Sequence, residues 1–122
     1  MPTILLVEDN PDTVEFLSRR LRDRGYEVLI ARNGLDALRI AEAELPAAIV
    51  LDVNLPLLDG DEVARRLRGQ TATRDIPMVF VTAESETRVM DLLRPHHTLC
   101  LEKAIRSQML LDALAQVLSP PA

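Results

Sequence analysis

Short, wholly apolar runs alternate along this chain with segments whose apolar residues recur every three or four positions, and few architectures accept that pattern. The runs lie at residues 4–7, 28–31, 47–51, 78–81 and 99–101. A strand that is apolar on both faces has to be covered on both, as in a parallel sheet held between two helical layers. The spacers are too long for hairpins and too periodic for coil, so consecutive strands should pair in parallel through right-handed crossovers. The predicted fold class is α/β, a doubly wound (βα)5 sandwich around a parallel five-stranded sheet. Ligands of such sheets bind beyond the carboxyl ends of the strands.

Helix punctuation supports the alternation. Asn10 is placed to cap a first helix, with Pro11 at its first position, Val14, Leu17 and Leu21 on one stripe and Gly25 just past its end. A second helix is expected over about residues 35–45, with Leu38, Ala41 and Leu45 facing inward and Pro46 stopping it. Asp59-Gly60 opens a short third that uses Val63 and Leu67 and ends at Gly69. A fourth spans about residues 86–94, before Pro95, and Ser107 caps a fifth over residues 108–118.

At 122 residues the chain fits one domain with its own core. We place that domain at residues 1–118 and read residues 119–122, Ser-Pro-Pro-Ala, as the start of a linker. A formal charge of −5 and an aromatic content of 2% speak against nucleic-acid binding by this domain. No apolar stretch approaches the roughly 18 residues of a membrane span, and Met1-Pro2-Thr3 lacks the basic region of a signal peptide. The single cysteine, Cys100, allows no internal disulfide. A cytoplasmic setting is therefore expected, with no membrane partner.

At the predicted strand ends stand Glu8-Asp9, Asp52, Thr82 and Lys103, which the topology brings to one rim. Asp52 follows the wholly apolar Ala-Ala-Ile-Val-Leu. A carboxylate there would cost several kcal/mol without a partner. Two carboxylates about 4 Å apart repel by about 4 kcal/mol at an effective dielectric of 20, which a hard divalent cation offsets. All-oxygen ligands on a partly open rim suit Mg²⁺, and the sequence has no histidine or cysteine cluster for zinc, since His96-His97 falls in a loop. Lys103 would then supply a positive charge opposite an incoming phosphoryl group, and Thr82 a hydroxyl, which describes a phosphoryl-transfer site. No glycine-rich nucleotide loop occurs, so ATP or a dinucleotide is not expected.

The fragments Ile-Leu-Leu-Val-Glu-Asp-Asn, Ile-Val-Leu-Asp-Val-Asn-Leu-Pro-Leu-Leu-Asp-Gly, Ile-Pro-Met-Val-Phe-Val-Thr-Ala and Glu-Lys, in this order and spacing, closely resemble the receiver domain of two-component response regulators. The resemblance implies a flavodoxin-like fold with strand order 2-1-3-4-5. It implies that Asp52 accepts a phosphoryl group from a histidine kinase or a histidine phosphotransfer protein, so that the domain catalyses only its own phosphorylation and dephosphorylation. Asp9 and Asp52 would then ligate Mg²⁺ with the backbone carbonyl of Asn54, Glu8 would act through water, and Thr82 and Lys103 would hold the phosphoryl oxygens. Asn54 and Glu84 stand where the family tunes dephosphorylation, and their combination is similar to that of fast-hydrolysing chemotaxis regulators.

Two positions depart from the family pattern. Cys100 stands where an aromatic residue usually transmits the phosphorylated state, and Ala104 follows the lysine where proline is usual. The peptide bond between Lys103 and Ala104 is expected to be trans, because a cis bond without proline costs about 3–4 kcal/mol. These departures leave open a pseudo-receiver that binds partners without phosphorylation. A magnesium-dependent phosphatase or a flavin carrier on the same fold is a further alternative; the scarcity of aromatics and the lack of a second acid/base aspartate beside Asp52 weigh against it. The apolar residues of the fifth helix spread over roughly 200°, wider than one buried stripe. That surplus suits either packing against neighbouring loops or an interface, and the resemblance implies that the fourth and fifth helices offer the surface for a homodimer or an output partner.

Overall fold

The computed structural model describes residues 2–52, 55–82 and 98–102 together with Ala115 and Leu118, of which residues 81–82 and 98–102 are described through their backbone. The elements run β1 (Thr3–Val7), α1 (Pro11–Asp23), β2 (Glu27–Ala31), α2 (Gly34–Glu44), β3 (Ala48–Asp52), α3 (Gly60–Arg68), β4 (Met78–Thr82) and β5 (Thr98–Glu102). The sheet has the order β2-β1-β3-β4-β5, with every neighbouring pair parallel. This is the doubly wound arrangement expected of the alternating pattern, with the flavodoxin-like strand order that the resemblance implies. The fourth helix expected over residues 86–94 lies outside the described residues, as does the fifth apart from Ala115 and Leu118.

The pleat divides the strands between two cores. Leu5, Val7, Ile49, Leu51, Met78 and Phe80 pack with Ala37, Ala41, Val63, Ala64 and Leu67 of α2 and α3. Ile4, Leu6, Ala48, Val50 and Val79 face the other way, with Leu21 of α1 and, partly buried, Leu17 and Leu118. Apolar residues at consecutive positions therefore reach both layers, which is why the strands read as unbroken apolar runs.

Helix starts follow local chemistry. The Asn10 side chain accepts from the amides of Asp12 and Thr13 at 2.9 and 3.2 Å, with Pro11 at the first helical position. Asn33 does the same for α2, accepting from Asp36 N–H at 2.8 Å while its amide group donates to the Asp36 carboxylate at 3.2 Å. This reciprocal cap starts α2 at Gly34, one residue before the expected boundary, and turns the face that buries Gly34, Ala37 and Ala41 inward. Leu38 is partly buried against the same core.

Leu45, expected inward, is instead 51% exposed. It ends α2 in the left-handed region at φ 47°, with its amide bonded to Ala41 O, so its side chain no longer follows the helical stripe. Gly34 has a steric reason to be glycine: a Cβ there would lie 2.7 Å from the Leu58 Cβ and closer still to the Leu58 carbonyl oxygen.

The turn from α3 to β4 is tied down by two side chains. The buried Thr73 hydroxyl donates to Leu67 O at 2.7 Å, and the Arg68 guanidinium donates to the carbonyls of Arg74 and Ile76 at 2.6 and 2.8 Å. Burial pulls the Arg68 pKa below its ordinary value, with Asp75 opposing the shift. This clasp aims β4 into the sheet beside β3.

Candidate metal and phosphoryl site

Strand register decides which side chains meet. Val7 pairs with Leu51 across β1 and β3, and Asp52 pairs with Val81 across β3 and β4. The residues after Val7 and Leu51 therefore emerge together at the carboxyl edge. Asp52 closes β3 as its last residue, as expected, and is 3% exposed. Glu8 is 4% exposed, whereas Asp9 faces solvent. One carboxylate oxygen from each of Glu8, Asp9 and Asp52 lies within 4.8 Å of the others.

Two backbone features hold this edge in place. The Glu8 amide donates to Ala31 O at 3.0 Å, which extends the β1–β2 ladder by one bond. The Glu8 carboxylate turns back on its own chain and accepts from the Asp9 amide at 2.9 Å and, at a longer 3.5 Å, from the Asn10 amide. On the other side, the loop after β3 buries Leu55 and bends through Leu57 at φ 70°. It is pinned where Gly34 N–H donates to Pro56 O at 3.3 Å. The start of α2 thus braces the loop that follows Asp52.

Oxygen donors alone, two of them buried and one exposed, fit a hard divalent cation approached from the solvent side. The like charges of three clustered carboxylates repel strongly at this spacing, and a dication would lower that cost. Among the expected site residues, Glu8, Asp9 and Asp52 are thus brought together. Thr82 is the last residue of β4, paired with Glu102, one position beyond the partner of Asp52. Cys100 lies in β5 as the register partner of Phe80. Asn54, Glu84, Lys103 and Ala104 lie outside the described residues, as does the expected trans bond after Lys103. Sequence reasoning missed the backbone bonds of Glu8: an acidic pair after a strand carries no signal of which member turns inward.

Comparison with known proteins agrees with this geometry. The family described as the response regulator receiver domain matches residues 4–115. The transcriptional regulatory protein PrrA of Mycobacterium tuberculosis is 43% identical over 84 residues, which cover 69% of this chain and 35% of PrrA. The alkaline phosphatase synthesis regulator PhoP of Bacillus subtilis is 45% identical over 83 residues, 68% of this chain and 34% of its own length. The chain thus spans about a third of the curated relatives it matches.

Among solved structures, the receiver domain of a sensor histidine kinase from Pseudomonas aeruginosa, with a magnesium ion in its active-site cleft, superposes with a TM-score of 0.86 at 32% identity. It covers 96% of this chain and 97% of that one. The chemotaxis response regulator CheY4 of Vibrio cholerae superposes with a TM-score of 0.86 at 28% identity, over 96% and 98% of the two chains. With its parallel sheet, its acidic edge and a family match over nearly its whole length, this chain belongs to the response regulator receiver domains of two-component signal transduction.

Proposed function

We propose that Asp52 is the phosphoacceptor of this receiver domain and that the edge formed by Glu8, Asp9 and Asp52 binds Mg²⁺. The observation that carries the reading is the buried Asp52 carboxylate at the end of β3, with an oxygen within 4.8 Å of two further carboxylates. Asp9, Asp52 and the Asn54 carbonyl would hold the ion, with Glu8 acting through water. When bound, the ion would offset the repulsion between a carboxylate and an incoming phosphoryl dianion.

An Asp52 carboxylate oxygen attacks phosphorus, and an O–P bond forms as the N–P bond of a donor phosphohistidine breaks. The electron pair of that bond returns to the imidazole nitrogen. The Thr82 hydroxyl and the Lys103 ammonium are the groups we assign to the phosphoryl oxygens, the first as a hydrogen-bond donor and the second as a positive charge. Burial of Asp52 and the bracing of its loop by Gly34 hold the nucleophile in line before the donor arrives. In hydrolysis a water oxygen bonds to phosphorus as the O–P bond to Asp52 breaks, its electron pair returning to the carboxylate and inorganic phosphate leaving.

The donor is a histidine kinase or a histidine phosphotransfer protein, and the domain transforms no other substrate. Asn54 with Glu84 favours a short-lived phosphorylated state, so the purified phosphoprotein should lose its label quickly; slow decay contradicts this. Residues 1–118 form the receiver, with Ser-Pro-Pro-Ala at 119–122 of linker-like composition. The fourth and fifth helices expected from the sequence, outside the described residues apart from Ala115 and Leu118, are the surface we assign to an output partner or a second copy of the chain. A cytoplasmic site fits a phosphorelay, and among the described residues no helix is long and apolar enough to cross a membrane.

The test is NMR with Mg²⁺ and beryllofluoride, which mimics the acyl phosphate, on native protein and on Asp52→Ala. Shifts around Thr82 and Lys103 in the native protein only are expected. The same response in both proteins, or none in either, contradicts the assignment. The acidic trio weighs against the interaction-only alternative raised by Cys100 and Ala104, because a pure docking module has no need to gather three repelling carboxylates.

A further inference from the structure

We infer that Glu8 is a positioning residue whose carboxylate holds the backbone of Asp9 and Asn10, so that its acceptor oxygen matters more to the site than its charge. The inference rests on the metal-site reading above only for its binding arm; the backbone contact itself lies within the chain.

Glu8 is tethered at both ends. Its amide is bonded to Ala31 O at 3.0 Å, which fixes its Cα on the sheet. Its Oε2 receives the Asp9 amide at 2.9 Å and the Asn10 amide at 3.5 Å. Asn10 in turn caps α1 through the amides of Asp12 and Thr13. Glu8, the first of the three residues between β1 and α1, therefore ties the backbone of the other two to the end of the strand.

The arrangement also explains why a carboxylate only 4% exposed is tolerated beside two others. Bonds from amides to an ionised oxygen are stronger than neutral ones and offset desolvation. Asp9, by contrast, is exposed and has its main chain held from behind, so its carboxylate is presented to the solvent side where a cation would enter. If Glu8 served only as a diffuse negative charge, nothing would require an oxygen turned toward the Asp9 amide.

Three variants separate position from charge. Glu8→Gln keeps an acceptor oxygen of the same reach and loses the charge. Glu8→Asp keeps the charge on a side chain one methylene shorter, and Glu8→Ala loses both. The readouts are hydrogen exchange at the Asp9 and Asn10 amides in metal-free protein and Mg²⁺ affinity by calorimetry.

The expected result is Asp9 exchange within about threefold of native in Glu8→Gln but about tenfold or more faster in Glu8→Asp and Glu8→Ala. Mg²⁺ should bind Glu8→Gln more tightly than Glu8→Asp. The inference is overturned if Glu8→Gln exchanges as fast as Glu8→Ala, or if Glu8→Asp keeps the better Mg²⁺ affinity. Should the native protein bind no Mg²⁺, the metal-site reading fails while the exchange pattern still decides the role of Glu8. Should Glu8→Asp not fold, the contrast of Glu8→Gln with native protein decides alone.

Discussion

Val7 on β1 and Leu51 on β3 are register partners, so the residues that follow them, Glu8 and Asp52, leave the sheet at one level. A shift of one residue in that pairing would turn every side chain of a strand to the opposite layer. The two apolar cores forbid it, since Leu5, Val7, Ile49 and Leu51 face α2 and α3 while Ile4, Leu6 and Val50 face α1. Packing far from the edge therefore fixes the spacing of the carboxylates on it.

That proximity predicts how stability responds to charge. Without divalent cations, Asp52→Asn removes one member of a repelling trio and should melt higher than native protein, by on the order of 1 kcal/mol in unfolding free energy. Added Mg²⁺ should reverse the order. At about a hundred times its dissociation constant it stabilises the native protein by about 2.7 kcal/mol and the variant by much less. Equal responses in calorimetric melts contradict a site built on Asp52.

The contact between Gly34 and Leu58 leaves no space for a methyl group. Gly34→Ala should destabilise by about 1–3 kcal/mol despite the better helix propensity of alanine. Because Gly34 also holds Pro56, phosphorylation by acetyl phosphate should slow as well. Denaturant titration and a labelling time course measure the two effects, and an unchanged or raised stability contradicts the steric account.

Leu57 is 73% exposed and sits at φ 70°, a conformation that costs a side chain with a Cβ about 1–2 kcal/mol. Asparagine tolerates that region. Leu57→Asn should therefore raise the stability by up to about 1 kcal/mol, or roughly 4 °C in melting temperature for a domain this size. A lowered melting temperature shows that the leucine side chain contributes contacts that outweigh the strain.

Thr73 is fully buried and gives its hydroxyl to Leu67 O. Thr73→Val removes that bond, leaving Leu67 O only the Gln70 amide at 3.2 Å, and should cost about 1 kcal/mol, whereas Thr73→Ser keeps the bond and should cost less. Thermal melts of the two variants give the comparison, and equal losses would assign the cost to packing.

Much of this was legible in the chain. The apolar runs predict five parallel strands because consecutive residues serve opposite layers, and Asn10-Pro11 and Gly69 mark helix ends by chemistry that acts within one turn. Leu45 departs from the inward stripe because a left-handed residue at a helix end breaks the periodicity on which the stripe depends. The Asn33 cap falls between a strand and a helix whose boundary periodicity alone does not resolve. The acidic trio could be foreseen from topology, since all three follow strands that end at one edge. The inward turn of the Glu8 carboxylate depends on backbone directions that no spacing encodes.

The most direct measurement is the intact mass of the protein after incubation with acetyl phosphate and Mg²⁺. An added mass of about 80 Da is expected on the native chain, absent from Asp52→Ala and absent when the divalent ion is chelated. A native chain that never gains this mass under conditions that label other receiver domains, or an Asp52→Ala chain that gains it equally, contradicts the account.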